Sequence, residues 1–236
     1  MRTLVIVPAY NEEKNVSSVI KNLREFCPEY DIIVVNDCSQ DNTSGILEEL
    51  QVNYLTLPVN LGIGGAVQSG YLYALRNGYD AAVQFDGDGQ HEADYIDDLL
   101  RPIVEDNADI TIGSRFIEKK GFQSSAARRT GINLLSAVIR LLSGVEVKDV
   151  TSGMRAVNRK MIKLYASDYA QDYPEPEAVL SAALHDARIL EVPVEMRERA
   201  SGKSSINSFK SVYYMIKVSL ALVLSRMTSE KKKNDQ

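Results

Sequence analysis

Five short apolar runs separated by amphipathic stretches fill the first half of the chain, and their spacing leaves little freedom in how it folds. Leu4-Val5-Ile6-Val7, Ile32-Ile33-Val34-Val35, Tyr54 to Leu57, Ala81 to Phe85 and Ile110-Thr111-Ile112 each read as a strand. Helical patterns lie between them. Asn11 caps the first, before Glu12-Glu13, with Val16, Val19, Ile20 and Leu23 on one face. A second spans Thr43 to Leu50, a third opens at glycine-rich Asn60–Gly65 and runs to Arg76, and a fourth lies near Tyr95 to Val104. Strict alternation of strand and helix implies an α/β fold: a Rossmann-like, mostly parallel sheet with helices on both faces. Ligands of such sheets bind beyond the carboxyl ends of the strands. Each polar motif of this chain sits at such an end.

The second half is less regular. Gly121 to Ala127 reads as a mobile loop, Thr130 to Leu142 as a helix and Ile189 to Val194 as a strand. A basic loop, Arg197 to Ser205, precedes a last helix from Phe209 to Met227. The expected organisation is one catalytic unit over 1–207, an amphipathic helix over 208–228 and a basic disordered tail over 229–236. The two cysteines, Cys27 and Cys38, give no disulfide framework, so a reducing cytoplasm is expected. Thr3 to Val7 is too short for the apolar region of a secretory leader, and Pro8 ends it. Charge is uneven. Residues 197–236 hold nine Lys or Arg against Glu198, Glu230 and Asp235, a surplus of six, while the whole chain carries −5. An acidic body with a basic end argues against a nucleic-acid stripe and for a local surface that meets phosphates or anionic head groups.

The chemistry concentrates in Phe85-Asp86-Gly87-Asp88-Gly89-Gln90-His91. Two carboxylates one residue apart at a strand end form an open pair of hard oxygen donors, suited to Mg²⁺ or Mn²⁺ with positions left for phosphate oxygens. That points to a nucleotide-activated substrate. Pro8-Ala9-Tyr10-Asn11-Glu12 and Asp37 to Asp41 close the first two strands and offer an aromatic face and a carboxylate to a nucleoside. Asp41 reads as a cap for the helix at Thr43 and Asp37 as a ligand contact. The glycines after Asn60 match neither a dinucleotide fingerprint nor a P-loop. They are expected to allow close backbone approach beside a nucleotide. Arg115, Arg128, Arg129, Arg199 and Lys203 are candidate phosphate ligands, since arginine presents a rigid fork to phosphate oxygens. Glu175 and Glu177 stand at a helix start and are candidate bases, although helix-end electrostatics alone favours acids there. His185 reads as structural and His91 as a supporting or capping residue.

Taken in order, Pro8-Ala9-Tyr10-Asn11-Glu12-Glu13, Asp37-x-Ser39-x-Asp41-x-Thr43, Asn60-x-Gly62-x-Gly64, Asp86-x-Asp88-Gly-Gln90-His91, Gly113-Ser114-Arg115, Asp149-x-x-Ser-Gly153-x-Arg155 and Arg199-x-x-Gly202-x-Ser204 resemble family 2 glycosyltransferases of the GT-A fold. Within them the chain is similar to the dolichyl-phosphate mannosyltransferase and polyprenyl-phosphate sugar synthase branch. The resemblance implies inverting transfer from a nucleotide diphosphate sugar. It implies nucleotide contacts from Pro8, Ala9, Tyr10, Glu12, Asp37, Gly64 and Asp86, and metal contacts from Asp86, Asp88 and Gln90. It implies phosphate contacts from Arg115, Arg128 or Arg129, Arg199 and Lys203, with Asp88, Arg115 and Arg199 central to catalysis. Gly87 departs from the alanine of many members, a change expected to be tolerated.

The acceptor separates two readings. A polyprenyl phosphate is already an anion and needs cations rather than a base; a saccharide hydroxyl needs a base, with Glu175 or Glu177 as candidates. The surplus of Arg and Lys favours the phosphate, with a UDP-linked sugar as donor. A non-catalytic nucleotide-sugar-binding module fits less well with a complete metal motif. Between Ser211 and Ser225 the only charge is Lys217, and Val212, Ile216, Leu220, Val223, Leu224 and Met227 share a face. This is too short and interrupted to span a bilayer. Peripheral association with the inner face of the membrane, or with a small membrane protein, is expected. Homo-oligomerisation is left open.

Overall fold

The computed structural model describes residues 1–118, 120–121, 126–197 and 208–234. Seven strands form one sheet: β1 (Thr3–Ala9), β2 (Asp31–Asn36), β3 (Tyr54–Thr56), β4 (Ala81–Gln84), β5 (Ile110–Ser114), β6 (Arg155–Asn158) and β7 (Ile189–Pro193), in the order β3-β2-β1-β4-β6-β5-β7. All neighbours run parallel except β6, which is antiparallel to β4 and β5. The helices are α1 (Val16–Phe26), α2 (Thr43–Glu49), α3 (Gly62–Arg76), α4 (Ile96–Val104), α5 (Ala126–Ser143), α6 (Arg159–Ser167), α7 (Pro174–Leu184) and α8 (Ser208–Asn234). The expected α/β architecture is the observed one.

β1 is buried along its whole length, and its alternation divides the core. Val5, Val7 and Ala9 join α1, α2 and α4 on one face. Leu4 and Ile6 join α3, α5, α6, α7 and α8 on the other. Close approach is built into the second face: a Cβ on Gly70 of α3 would stand 2.2 Å from Ile6 Cγ2. The neighbouring Tyr71 is buried against Tyr165 and Tyr169, with ring centroids 5.3 and 5.5 Å away.

Three features depart from the expected layout. The motif ending in Arg155, which carries no apolar run, leads into β6, and α6 follows it without a break. α5 begins at Ala126 rather than at Thr130, and residues 122–125 of the expected loop lie outside the described residues. α8 continues to Asn234, into the segment expected as a disordered tail. Nothing in that segment breaks a helix, and Lys and Glu sustain one well. α8 also has two apolar sides. Val218 and Leu222 are fully buried, whereas Ile216, Leu220, Val223, Leu224 and Met227 are 39–63% exposed.

Gly70→Ala forces the α3–β1 contact apart and is expected to cost about 1–3 kcal/mol. A urea midpoint equal to that of the parent would show that α3 can shift freely.

Candidate active site

A cavity of about 470 Å³ opens at the carboxyl ends of β1, β2 and β4, where the sheet topology brings three polar segments together. Pro8, Ala9, Tyr10 and Glu12 leave β1, Asp37 follows β2, and Asp86, Gly87 and Asp88 follow β4; Gly62, Ile63 and Ala66 of α3 form the opposite wall with Asn60. Pro8, Ala9, Tyr10, Glu12, Asp37 and Asp86 thus stand where the motifs suggested. Gly64 does not line the cavity. It packs α3 against the 170–171 backbone, where a Cβ would stand 2.2 Å from the Ala170 carbonyl oxygen. Ile63 and Ala66, which no motif singled out, take its place; their only signal was proximity to Gly62, whose φ is +76°.

The two aspartates after β2 divide their work. Asp41 caps α2, accepting from the Thr43 amide at 3.0 Å and from the Glu13 amide at 3.1 Å. Burial pushes its carboxyl up, but the hydrogen bonds from Thr43 and Glu13 outweigh this and hold it below the usual carboxylate range.

 The lowered Asp41 carboxyl is a capping group, as its place before Thr43 suggested. Asp37 is also a cap, but across the cleft. It is buried, and its two oxygens accept the Leu61 and Gly62 amides at 2.7 and 2.8 Å, meeting the first free donors of α3. The carboxylate read as a ligand contact is therefore spent on the helix that walls the cavity. Asn11 and Cys38, at φ +56° and +59°, hold the left-handed conformation at the rim. Asn11 is fixed there by bonds to Ser39 Oγ (3.0 Å) and from the Gln40 amide (2.8 Å).

The Asp86 side chain keeps 29% exposure. Its Oδ2 meets His91 Nε2 at 3.1 Å, and its Oδ1 accepts from Gln84 Nε2 at 3.4 Å. Burial alone would raise its carboxyl; the bond to His91, the Gln84 amide and the charge of Arg155 reverse the sign and lower it. His91 thus stands against Asp86, and His185 bonds the Ser181 carbonyl within α7. Asp88 Oδ1 accepts the Gln90 amide at 3.1 Å. Gln90 turns its side-chain amide toward the Arg197 carbonyl, 3.4 Å away. Among the described residues, no three His, Cys, Asp or Glu side chains converge as a protein-only metal cage. Asp86 and Asp88 place two carboxylates in the cleft lining. Gly87 is needed as it stands, since a Cβ there would lie 2.8 Å from the Pro8 carbonyl oxygen.

The candidate cations fare differently. Arg115 is buried and forks onto Asp149 through Nε (2.7 Å) and Nη2 (2.6 Å), with a further bond to Thr151. The guanidinium expected to bind phosphate and serve catalysis is thus engaged by Asp149 inside the fold. Arg129 stacks on Phe116 at 3.3 Å from the ring centroid, and its Nη1 is buried without a hydrogen-bond partner. Arg128 is exposed at the start of α5. Arg199 and Lys203 lie outside the described residues. The two candidate bases also separate. Glu177 accepts a bond from Ser225 of α8 at 3.3 Å and so belongs to the α7–α8 contact. Burial pushes the Glu175 carboxyl up, the charge of Arg155 opposes this and that of Asp86 adds to it.

Residues 4–165 match the family model described as Glycosyl transferase family 2. The chain is 33% identical over 245 residues to UDP-N-acetylglucosamine–dolichyl-phosphate N-acetylglucosaminyltransferase of Methanococcus voltae, covering 93% of this chain and 97% of the relative. It is 31% identical over 227 residues to polyprenol monophosphomannose synthase of Mycolicibacterium smegmatis, covering 92% and 85%. Among solved structures, glucosyl-3-phosphoglycerate synthase from Mycobacterium tuberculosis, in complex with Mn²⁺, UDP-glucose and phosphoglyceric acid, superposes with a TM-score of 0.73 at 22% identity, over 95% of this chain and 79% of that one. That likeness is one of fold, the expected GT-A architecture.

The Arg115–Asp149 pair yields a stability test. Asp149→Ala strands a buried guanidinium and is expected to cost about 3–5 kcal/mol in denaturant unfolding. A loss below about 1 kcal/mol, the range of an exposed pair, would mean that Arg115 finds water or another acceptor.

Proposed function

The chain belongs to glycosyltransferase family 2, and we propose that it moves one sugar, with inversion, from a nucleotide diphosphate sugar to a polyprenyl phosphate such as undecaprenyl phosphate. The observation that carries the donor half is the cleft, with exposed Tyr10 at one end and the Asp86–Asp88 pair at the other. UDP is the favoured carrier. The acceptor half is supported by the two relatives, whose names give dolichyl phosphate and a polyprenol monophosphate.

Tyr10, Pro8, Ala9 and Glu12 shape the nucleoside end, and Asp37 acts by holding α3 in place. Asp86, Asp88 and the amide oxygen of Gln90 are hard donors that fit Mg²⁺ or Mn²⁺, with phosphate and water completing the shell. Such an ion, when bound, offsets charge on the leaving diphosphate. Arg128 and Arg129, joined by Arg199 and Lys203, orient the acceptor phosphate. One of its oxygens bonds to the anomeric carbon, the bond from that carbon to the diphosphate breaks, and the nucleoside diphosphate leaves with the electron pair. An ionised phosphate needs no base for this step. The second reading, a saccharide hydroxyl acceptor, is kept by one observation: burial and the charge of Asp86 raise the Glu175 carboxyl, which suits a base.

No helix among the described residues is long and apolar enough to cross a membrane. The outward stripe of α8, together with exposed Leu134 and Leu141 of α5, supports peripheral docking on the cytoplasmic face of a membrane or on a small membrane protein.

Incubating the protein with Mn²⁺ or Mg²⁺, a panel of nucleotide sugars and undecaprenyl phosphate is expected to give a lipid-phosphate monosaccharide, read by mass spectrometry of the lipid phase. Asp88→Ala should lower its formation by about 10²-fold or more, a loss of roughly 3 kcal/mol of transition-state stabilisation, while Glu175→Ala leaves it within a few-fold. Product only with soluble saccharides, lost in Glu175→Ala, would transfer the reaction to the hydroxyl acceptor.

Leu220→Asp with Leu224→Asp places two charges on the outward side of α8. Flotation with vesicles containing anionic lipid should then leave the protein at the bottom of the gradient. Unchanged flotation would rule out α8 as the docking element.

A further inference from the structure

The motif Asp149-x-x-Ser152-Gly153-x-Arg155 has one member that neither the cleft nor the acceptor cations account for. Arg155 opens β6, pairs with Gln84 in the antiparallel ladder, and is wholly buried. A guanidinium does not give up its proton in a protein interior, so its charge must be met where it lies. Nε and Nη2 donate to the Ser152 carbonyl at 3.0 and 2.8 Å, and Nη1 donates to the Glu175 carbonyl at 3.0 Å. All three bonds end on backbone oxygens, so among the described residues no carboxylate is seen to neutralise the charge at contact. Arg155 ties the backbone of Glu175 in the first turn of α7, and its ladder partner Gln84 holds Asp86 on the cleft rim.

The groups around Asp86 converge on the same point. Gln84, the ladder partner of Arg155, gives its amide to Asp86 Oδ1 and takes the Tyr169 hydroxyl at 3.3 Å on its own oxygen. His91 holds Oδ2. Gly153 lies so close that a Cβ would stand 2.2 Å from Oδ2. Three of these groups, Ser152, Gly153 and Arg155, come from one short segment ahead of and at the start of β6. The antiparallel strand therefore carries a platform under the carboxylate end of the cleft.

We propose that Arg155 is a positioning residue for the donor site, a permanent buried cation that braces Asp86, through Gln84 and the Gly153 segment, and the first turn of α7, through the Glu175 carbonyl, beneath the diphosphate position. This rests on the reading of Asp86 as a donor-side ligand. Like charges crowded at one end of a cleft repel each other and an incoming diphosphate. A fixed cation behind them lowers that repulsion before any ligand arrives. It touches no reacting atom and acts only through Asp86 and the backbone it ties.

The test uses Mn²⁺ alone as the first probe, titrated into the free protein and read by electron paramagnetic resonance. UDP in the presence of Mn²⁺ is the second, read by calorimetry. Arg155→Met is expected to weaken Mn²⁺ binding by roughly tenfold or more, the range seen when support behind a metal ligand is removed. Arg155→Lys restores part of it, since it returns the charge without the fork. Gly153→Ala keeps Arg155 but displaces Asp86, and should weaken Mn²⁺ binding to a similar degree. It carries the test if Arg155→Met fails to fold by urea unfolding. Variants that unfold at lower urea yet bind Mn²⁺ and UDP as the parent does would reduce Arg155 to a scaffold residue and overturn the proposal. A parent protein that binds neither probe would overturn the reading of the cleft itself, and the role of Arg155 with it.

Discussion

The structure depends on the parallel ladder of β2, β1 and β4, buried in its centre and therefore obliged to satisfy every backbone group internally. Once these three strands are in register, their carboxyl ends finish along one edge. Whatever polar residues come next must emerge there together. Tyr10, Asp37 and Asp86 are 27 and 49 residues apart in sequence, yet they line one cavity because the ladder delivers them to it. Close packing of α3 through Gly70 keeps the opposite wall near enough to make that cavity a cleft.

Charge is organised in depth. The acidic body would crowd carboxylates at the strand ends without internal partners. Two arginines are withdrawn into the interior: Arg115 forks onto Asp149, and Arg155 is buried at the start of β6 on the Ser152 and Glu175 carbonyls. The other candidate cations among the described residues, Arg128 and Arg129, stand on α5. An arginine in a polar motif is thus a poor guide to its role, since the same fork that suits a phosphate also suits a carboxylate or a pair of carbonyls.

This division explains what could be read from the sequence. The parallel strands announced themselves as apolar runs, and the helices between them as amphipathic stretches. The aromatic and acidic residues that line the cleft follow from their places at strand ends. β6 escaped because its first residue is a fully buried arginine, the opposite of a strand signal, and because an antiparallel insertion breaks the alternation that located the others. Asp37 escaped for a different reason. Its partners are the amides of Leu61 and Gly62, 24 and 25 residues later, so its capping bond is tertiary and leaves no local trace. Glu175 and Glu177 looked alike in sequence because a helix start accommodates both; only the packing of α8 against α7 tells them apart.

The Asp37 bridge has an electrostatic consequence for the whole cleft. A helix beginning at a glycine-rich turn beside a nucleotide site would ordinarily present its free amides, and the positive end of its dipole, to a phosphate. In this protein that position is filled from within, because the chain has set its own anion against the start of α3. Two of the first turn's open amides are thereby used, and the negative charge of Asp37 offsets the positive end of α3. A diphosphate entering the cleft meets a helix start already partly answered, so more of its charge falls to partners that arrive with it or to side chains elsewhere along the sheet edge.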